Sequence, residues 1–280
     1  MQSINSTKLS AAIILALSTA ACSSGGNHST TSTPPVITDQ TAAEKAEADR
    51  LAAEKAEADR LAAEKQKEID DAKGLIGYYP INSITAQSTT SASSIRNNLT
   101  TENRTQSVIY NQPYSVVLGS YSGNVSYNNS TGALISDDRI SNIAIRGLKT
   151  AIEEIPTLGS ATYTGKAFNG SYINKTEIDY SGTFPTILTT SNLAEGTLNY
   201  NVNFTERSGS GSITGLGDVI SLNQGSISGT GISSSAQQAY KNGTYSLDFY
   251  GKKAEEVAGK VIFNDKDTVG FGGTRGEITK

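Results

Sequence analysis

The chain has one cysteine, Cys22, and one histidine, His28, and both fall in a stretch rich in Ser, Thr, Gly and Pro. A serine or cysteine nucleophile needs a base that the fold holds against it. The only imidazole sits where nothing would hold it, so the sequence offers no Ser-His-Asp or Cys-His set. A lone cysteine allows no intrachain disulfide, and a lone histidine has no second metal ligand beside it. Two pairs of adjacent carboxylates occur, Glu153-Glu154 and Glu255-Glu256. Neighbours on a chain do not by themselves face one another across a substrate, so both pairs read as exposed charge. Gly209-Ser210-Gly211 and Gly270-Phe271-Gly272-Gly273 lack the strand, loop and helix with a lysine that phosphate binding requires. They read as glycines that relieve crowding where strands bend. If haem were bound, its axial ligand would have to be a tyrosine, and Tyr78-Tyr79 is the most conspicuous candidate; tyrosines in a β protein are more often core or strand residues. The reading is therefore of a binding protein with no catalytic set, no metal site and no cofactor.

The beginning of the chain gives the compartment. Lys8 precedes an apolar run, residues 9–17, and small residues follow it as far as Cys22. That is a charged region, an apolar region and a cleavage site. The run is shorter than the roughly 20 residues a membrane-crossing helix needs, so residues 1–21 read as a signal peptide. Ser18-Thr19-Ala20-Ala21-Cys22 resembles the lipobox of bacterial lipoproteins, with Cys22 as the lipid attachment site; the alternative is a thiol near an ordinary cleavage site. Ser23 and Ser24 after the cysteine fit onward passage to the outer membrane by the lipoprotein export machinery. The formal charge of −4 becomes one unit more negative when Lys8 leaves with the signal. A weakly acidic chain without a basic cluster is a poor nucleic-acid binder.

These terminal groups need elements to position them. Residues 22–41 are too polar to bury surface that would offset their ordering entropy and read as a lipidated tether. The ten residues from Ala42 to Leu51 then repeat from Ala52 to Leu61, in good helix formers except for Asp. About a third of the chain's charged residues lie in residues 42–73. Glu47 with Arg50 and Glu57 with Arg60 form i,i+3 pairs, while the leucines recur too rarely to make a continuous seam. The stretch reads as a solvated helical spacer about 45 Å long, stopped by Gly74. From there the period changes to two. In residues 196–204, Leu198, Tyr200, Val202 and Phe204 point one way, and Thr197, Asn199, Asn201 and Asn203 the other. Residues 244–250 alternate likewise, and residues 161–168, 209–214, 225–230, 260–263 and 269–272 are strand-like. Short strands separated by Gly, Asn and Asp suggest an antiparallel meander or barrel. Lys252 to Val257 reads as a single helical turn closed by Gly259.

The stretch 243–259, Gly-Thr-Tyr-Ser-Leu-Asp-Phe-Tyr-Gly-Lys-Lys-Ala-Glu-Glu-Val-Ala-Gly, resembles the barrel of the factor H binding protein family. Residues 161–168 resemble that barrel's opening strand, residues 198–211 its central hairpin, and residues 108–117 a strand of the family's amino-terminal domain. The Tyr-Gly-x-x-Ala-Glu-Glu-x-x-Gly element is shared more loosely with the barrel lobes of transferrin-binding protein B and with haem-binding relatives. What the resemblance implies is a mainly β protein: a small antiparallel up-and-down barrel of about eight strands over residues 159–280, a smaller β-rich domain over 74–158, and the charged helical stalk over 42–73. It also implies an outer-membrane surface lipoprotein that binds a host serum protein, with factor H the first partner to test. A haem-binding or transferrin-binding-protein-like nutrient-acquisition lipoprotein, and a structural envelope lipoprotein, stand as the alternatives. No contact residue carries over.

The Cys22 reading has a direct test, because two or more acyl chains anchor a protein stably. The parent chain should enter detergent with the outer membrane, and Cys22→Ala should release it. Equal retention of the two would exclude lipid anchoring at this residue.

Overall fold

A computed structural model describes residues 39–179, 181 and 186–280. The signal segment, Cys22, His28 and the tether as far as Thr38 lie outside the described residues. The chain divides into two units, the first ending at Lys55 and the second running from Ala56 to Lys280.

The helix α1 spans Asp39–Lys73 and so begins three residues ahead of the repeat, within what the sequence assigns to the tether. Once a helix exists, each further residue adds a hydrogen bond without a new nucleus. Arg50 bridges Glu47 and Glu54, each at 2.6 Å, and Arg60 bridges Glu57 at 2.6 Å and Glu64 at 2.5 Å. These pairs are more than half exposed, so solvent screens them and they contribute little. Leu51 and Leu61 are also exposed, as a spacer without a seam requires. The last turn differs: Ile69 and Lys73 are buried. Gly74 follows in the left-handed region (φ +58°), and its N–H returns to the Asp70 carbonyl at 2.9 Å, closing the helix.

An antiparallel sheet comes next, built from β1 (Ser83–Arg96), β2 (Leu99–Asn111), β3 (Ser115–Asn128), β4 (Leu134–Asp137) and β5 (Ile140–Gly147). Strands β1, β2 and β3 are sequential neighbours, and β4 and β5 pair with successive parts of β3. A short 3-10 turn, Ile152–Glu154, leads to eight further strands. These are β6 (Ser160–Asp179), β7 (Thr186–Asn203), β8 (Ser208–Thr214), β9 (Ile220–Ser228), β10 (Gly231–Gln238), β11 (Lys241–Tyr250), β12 (Glu256–Phe263) and β13 (Lys266–Arg275). Each pairs with the next, and β13 closes on β6 through Gly270↔Phe168 to Arg275↔Tyr163. The result is the closed up-and-down barrel that the sequence implies.

The alternating residues fill it. Leu198, Tyr200, Val202, Phe204, Tyr245, Leu247 and Phe249 all belong to one buried core, while Asn199 and Asn201 are exposed. Tyr200 and Tyr245 meet edge to face, with ring centroids 6.0 Å apart and hydroxyls at 2.8 Å. The Tyr245 hydroxyl also donates to the Asn223 carbonyl at 2.8 Å, so the phenols are satisfied inside an apolar barrel. Gly211 makes room for this pair, since a Cβ there would come within 2.8 Å of the Tyr200 ring.

One local expectation is corrected. Residues 252–257 are not a helical turn: residues 251–254 form a tight turn with Ala254 at φ +57°, and β12 begins at Glu256. A left-handed residue interrupts a right-handed helix, and the tertiary partners of Glu256, described below, outweigh its helix propensity. Asn203 is half-buried, and its Oδ1 accepts the Glu206 N–H at 3.0 Å, closing the turn after β7.

The register makes a sharp prediction for urea unfolding. Phe204→Ala should cost about 3 to 5 kcal/mol as a fully buried aromatic. Asn199→Ala, on the opposite face of the same strand, should stay within about 0.5 kcal/mol. Equal losses would contradict the assigned faces.

Candidate functional site

One wall of the barrel is covered. Ala167, Phe249 and Val257 point into the barrel core, and their chain neighbours Phe168, Tyr250 and Ala258 therefore point out. These outward residues form a second core with Val108, Tyr110, Val117, Tyr121 and Ile143 of the sheet. The glycine cluster of β13 serves this contact rather than a bend. A Cβ on Gly270 would lie 2.7 Å from the Phe168 ring, and one on Gly272 would lie 2.5 Å from the Gln112 amide. The sheet approaches so closely because those side chains are absent.

Glu256 lies in the same interface, facing out of the barrel beside Val257, and it is fully buried. The sequence reading of exposed charge is wrong for this residue, though it holds for Glu153 and Glu154. Its carboxylate accepts the Tyr114 N–H at 3.0 and 3.2 Å and the Ser115 hydroxyl at 2.8 Å. All of these donors come from the turn joining β2 to β3. Gln112 in that turn donates from Nε2 to Ser115 Oγ at 2.7 Å and to the Val257 carbonyl at 3.3 Å. Lys73, from the end of α1, donates to the Gln112 carbonyl at 2.8 Å. The turn at 251–254 is held in its place by further bonds. Thr150 Oγ1 donates to the Gly251 carbonyl at 2.8 Å, and Tyr163 donates to the Ala254 carbonyl at 2.7 Å. Two of the stretches that carry the family resemblance, 108–117 and 243–259, are thus where sheet and barrel are joined.

A second clamp sits further along the interface. Arg139 donates to Asp137 at 2.6 and 2.8 Å, to Gln106 Oε1 at 2.7 Å and to the Gly170 carbonyl of the barrel at 3.2 Å. Its guanidinium stacks 5.6 Å from the Tyr121 ring centroid. Asp267 of β13 accepts the Ile143 N–H at 2.8 Å and pairs with Lys260 at 2.8 Å. Both clamps position surfaces. Burial raises the phenols of Tyr110 (to about 12), Tyr121, Tyr163, Tyr200 and Tyr250, so these are structural hydroxyls. Tyr78 is exposed and Tyr79 half-buried at the edge of the sheet. Among the described residues no group of three or more His, Cys, Asp or Glu is placed to hold a metal ion. The arrangement suits recognition by outer surfaces fixed on a rigid two-part body.

The Glu256 interaction predicts a pH dependence. Burial pushes its carboxyl up from 4.5 to about 7, against the downward pull of Ser115, Tyr114 and Lys73. The folded protein then holds this proton more tightly than the unfolded chain. The stability it contributes is full below about 4.5 and is lost as pH rises through about 7, on the order of 3 kcal/mol. Stability by urea unfolding should decline over that window in the parent and stay flatter in Glu256→Gln. Parallel profiles would show that Glu256 does not titrate there.

Residues 153–261 match the family described as Factor H binding protein, C-terminal. No curated protein matches the chain. Among solved structures, the chain is similar to intact Ap-TbpB, with N and C lobes, at 17% identity and a TM-score of 0.39, covering 69% of this chain and 39% of that one. It is similar to isotype 1 transferrin binding protein B from serogroup B Neisseria meningitidis at 16% identity and a TM-score of 0.39, covering 66% and 34%. The apo haemoglobin receptor HpuA from Kingella denitrificans is similar at 15% identity and a TM-score of 0.38, covering 72% and 90%. The chain thus spans well under half the length of the two transferrin-binding-protein structures.

Proposed function

We propose, from the match of residues 153–261 to the family described as Factor H binding protein, C-terminal, that this chain is an outer-membrane surface lipoprotein that binds a host serum protein. Complement factor H is the partner the reading names first. The single observation that carries it is the family match, which falls on most of the barrel and includes Glu256. The barrel interior is packed by its own side chains, as small barrels are, so recognition belongs to the outer surface and loops, without cofactor. In this reading residues 1–21 are removed and Cys22 carries the lipid. Residues 22–41 and 42–73 serve as tether and stalk, and the β regions 74–158 and 159–280 form the binding body. Shared fold does not fix a shared ligand, and the partner is therefore the point to test.

Surface plasmon resonance of the full chain against factor H, transferrin and haemoglobin, with a parallel haemin titration, separates the readings. Saturable binding of factor H without haem is the expected result. Retention of transferrin or haemoglobin alone would move the protein to nutrient acquisition. A stoichiometric Soret shift with no protein retained would make it a haem carrier.

A further inference from the structure

The segment after α1, residues 74–81, reads Gly-Leu-Ile-Gly-Tyr-Tyr-Pro-Ile, and its large side chains are not buried. Ile76 is 94% exposed, Tyr78 89% and Ile81 52%. Burial of side chains of this size is favourable, so a run of them left in water marks an interaction surface. The segment forms one side of a cleft of about 440 Å³. Gln66, Asp70 and Lys73 of the helix line the other side, Tyr78 and Tyr79 line the near side, and Asn111 contributes to the lining from β2.

The carboxylate of Asp70 and the amide oxygen of Asn111 line this cleft beside two tyrosines. Asp70 takes one donor, Gln66 Nε2 at 3.0 Å on Oδ1. The C-terminal end of α1 adds the negative pole of its macrodipole. Asn111 is 4% exposed; its Nδ2 donates to the Tyr79 carbonyl at 2.7 Å, and its Oδ1 has no donor. A buried oxygen without a donor is costly, and a ligand N–H would relieve it. Lys73, the one cation among the lining residues, is committed elsewhere: its ammonium donates to the Gln112 and Pro113 carbonyls at 2.8 and 3.5 Å.

Acceptors combined with tyrosine rings select a cation. Guanidinium suits them better than ammonium, because it is planar, less strongly hydrated and stacks on aromatic faces. We propose that this cleft receives an arginine side chain of a protein partner, with the aliphatic stem against Leu75 and Ile81 and the guanidinium between Tyr78 and Asp70. This goes beyond the proposed host-protein reading, since it holds for any macromolecule that presents such a side chain. It also gives Tyr78-Tyr79 a role other than that of axial ligands.

The test is calorimetric titration of the full chain with N-acetyl-arginine methylamide and with the uncharged N-acetyl-norleucine methylamide. The arginine derivative should bind saturably and about tenfold more tightly than norleucine. Asp70→Asn and Tyr78→Ala, both at exposed positions, should each weaken it several-fold, whereas Tyr240→Ala, at an exposed tyrosine away from the cleft, should not. No saturable heat, equal binding of the two derivatives, or parent-like binding by Asp70→Asn and Tyr78→Ala would overturn the proposal. So would a concentration-dependent dimer, seen by sedimentation, that Tyr78→Ala abolishes, because the cleft would then belong to a second copy of the chain.

Discussion

A carboxylate buried without partners is too costly to keep, and Glu256 is buried outside the barrel it belongs to. It can stay there only while the β2–β3 turn supplies the Tyr114 N–H and the Ser115 hydroxyl. That requirement fixes the turn, and the turn fixes much else. Gln112 reaches the Val257 carbonyl from it, and Lys73 brings the last turn of α1 to the Gln112 carbonyl. If the sheet left, Phe168, Tyr250 and Ala258 would meet water together with the carboxylate. Helix end, sheet and barrel wall therefore depend on one short turn.

The consequence for function is preorganisation. A binding surface spread over a sheet and a barrel loses affinity if the two parts must first be ordered against one another. The β2–β3 turn at Glu256 and the Arg139 clamp fix that order at two separated places. The outer strand faces, the barrel-end loops and the apolar segment after α1 lie outside both.

The barrel was legible in the sequence where each strand has one wet and one buried face. Leu198 to Phe204 and Tyr245 to Phe249 announce themselves by alternation. The sheet was far less so: β1, Ser-Ile-Thr-Ala-Gln-Ser-Thr-Thr-Ser-Ala-Ser-Ser-Ile-Arg, has too few apolar residues to show a period. Glu256 was hidden because burial of a charge is decided by partners far away in sequence, and propensity pointed to a helix there. Gly270 and Gly272 were visible as glycines, but the Phe168 ring and the Gln112 amide that require them could be found only in three dimensions. The adjacent pair Tyr78-Tyr79 stood out in the sequence, while the cleft beside it depends on how α1 ends against β2. The family resemblance was carried by residues 161–168, 198–211, 108–117 and 243–259, the last two being the segments that meet at Glu256, and such segments speak for a fold before a ligand.

The central claim, that sheet and barrel are one cooperative body joined through Glu256, can be tested by native-state hydrogen exchange across a urea series. Slowly exchanging amides of β2 and β3 and those of β11 and β12 should merge onto a single global opening with the same free energy and the same urea dependence. If the amides of β2 and β3 open at lower free energy while the barrel stays protected, the sheet is a separately melting appendage and the account is wrong.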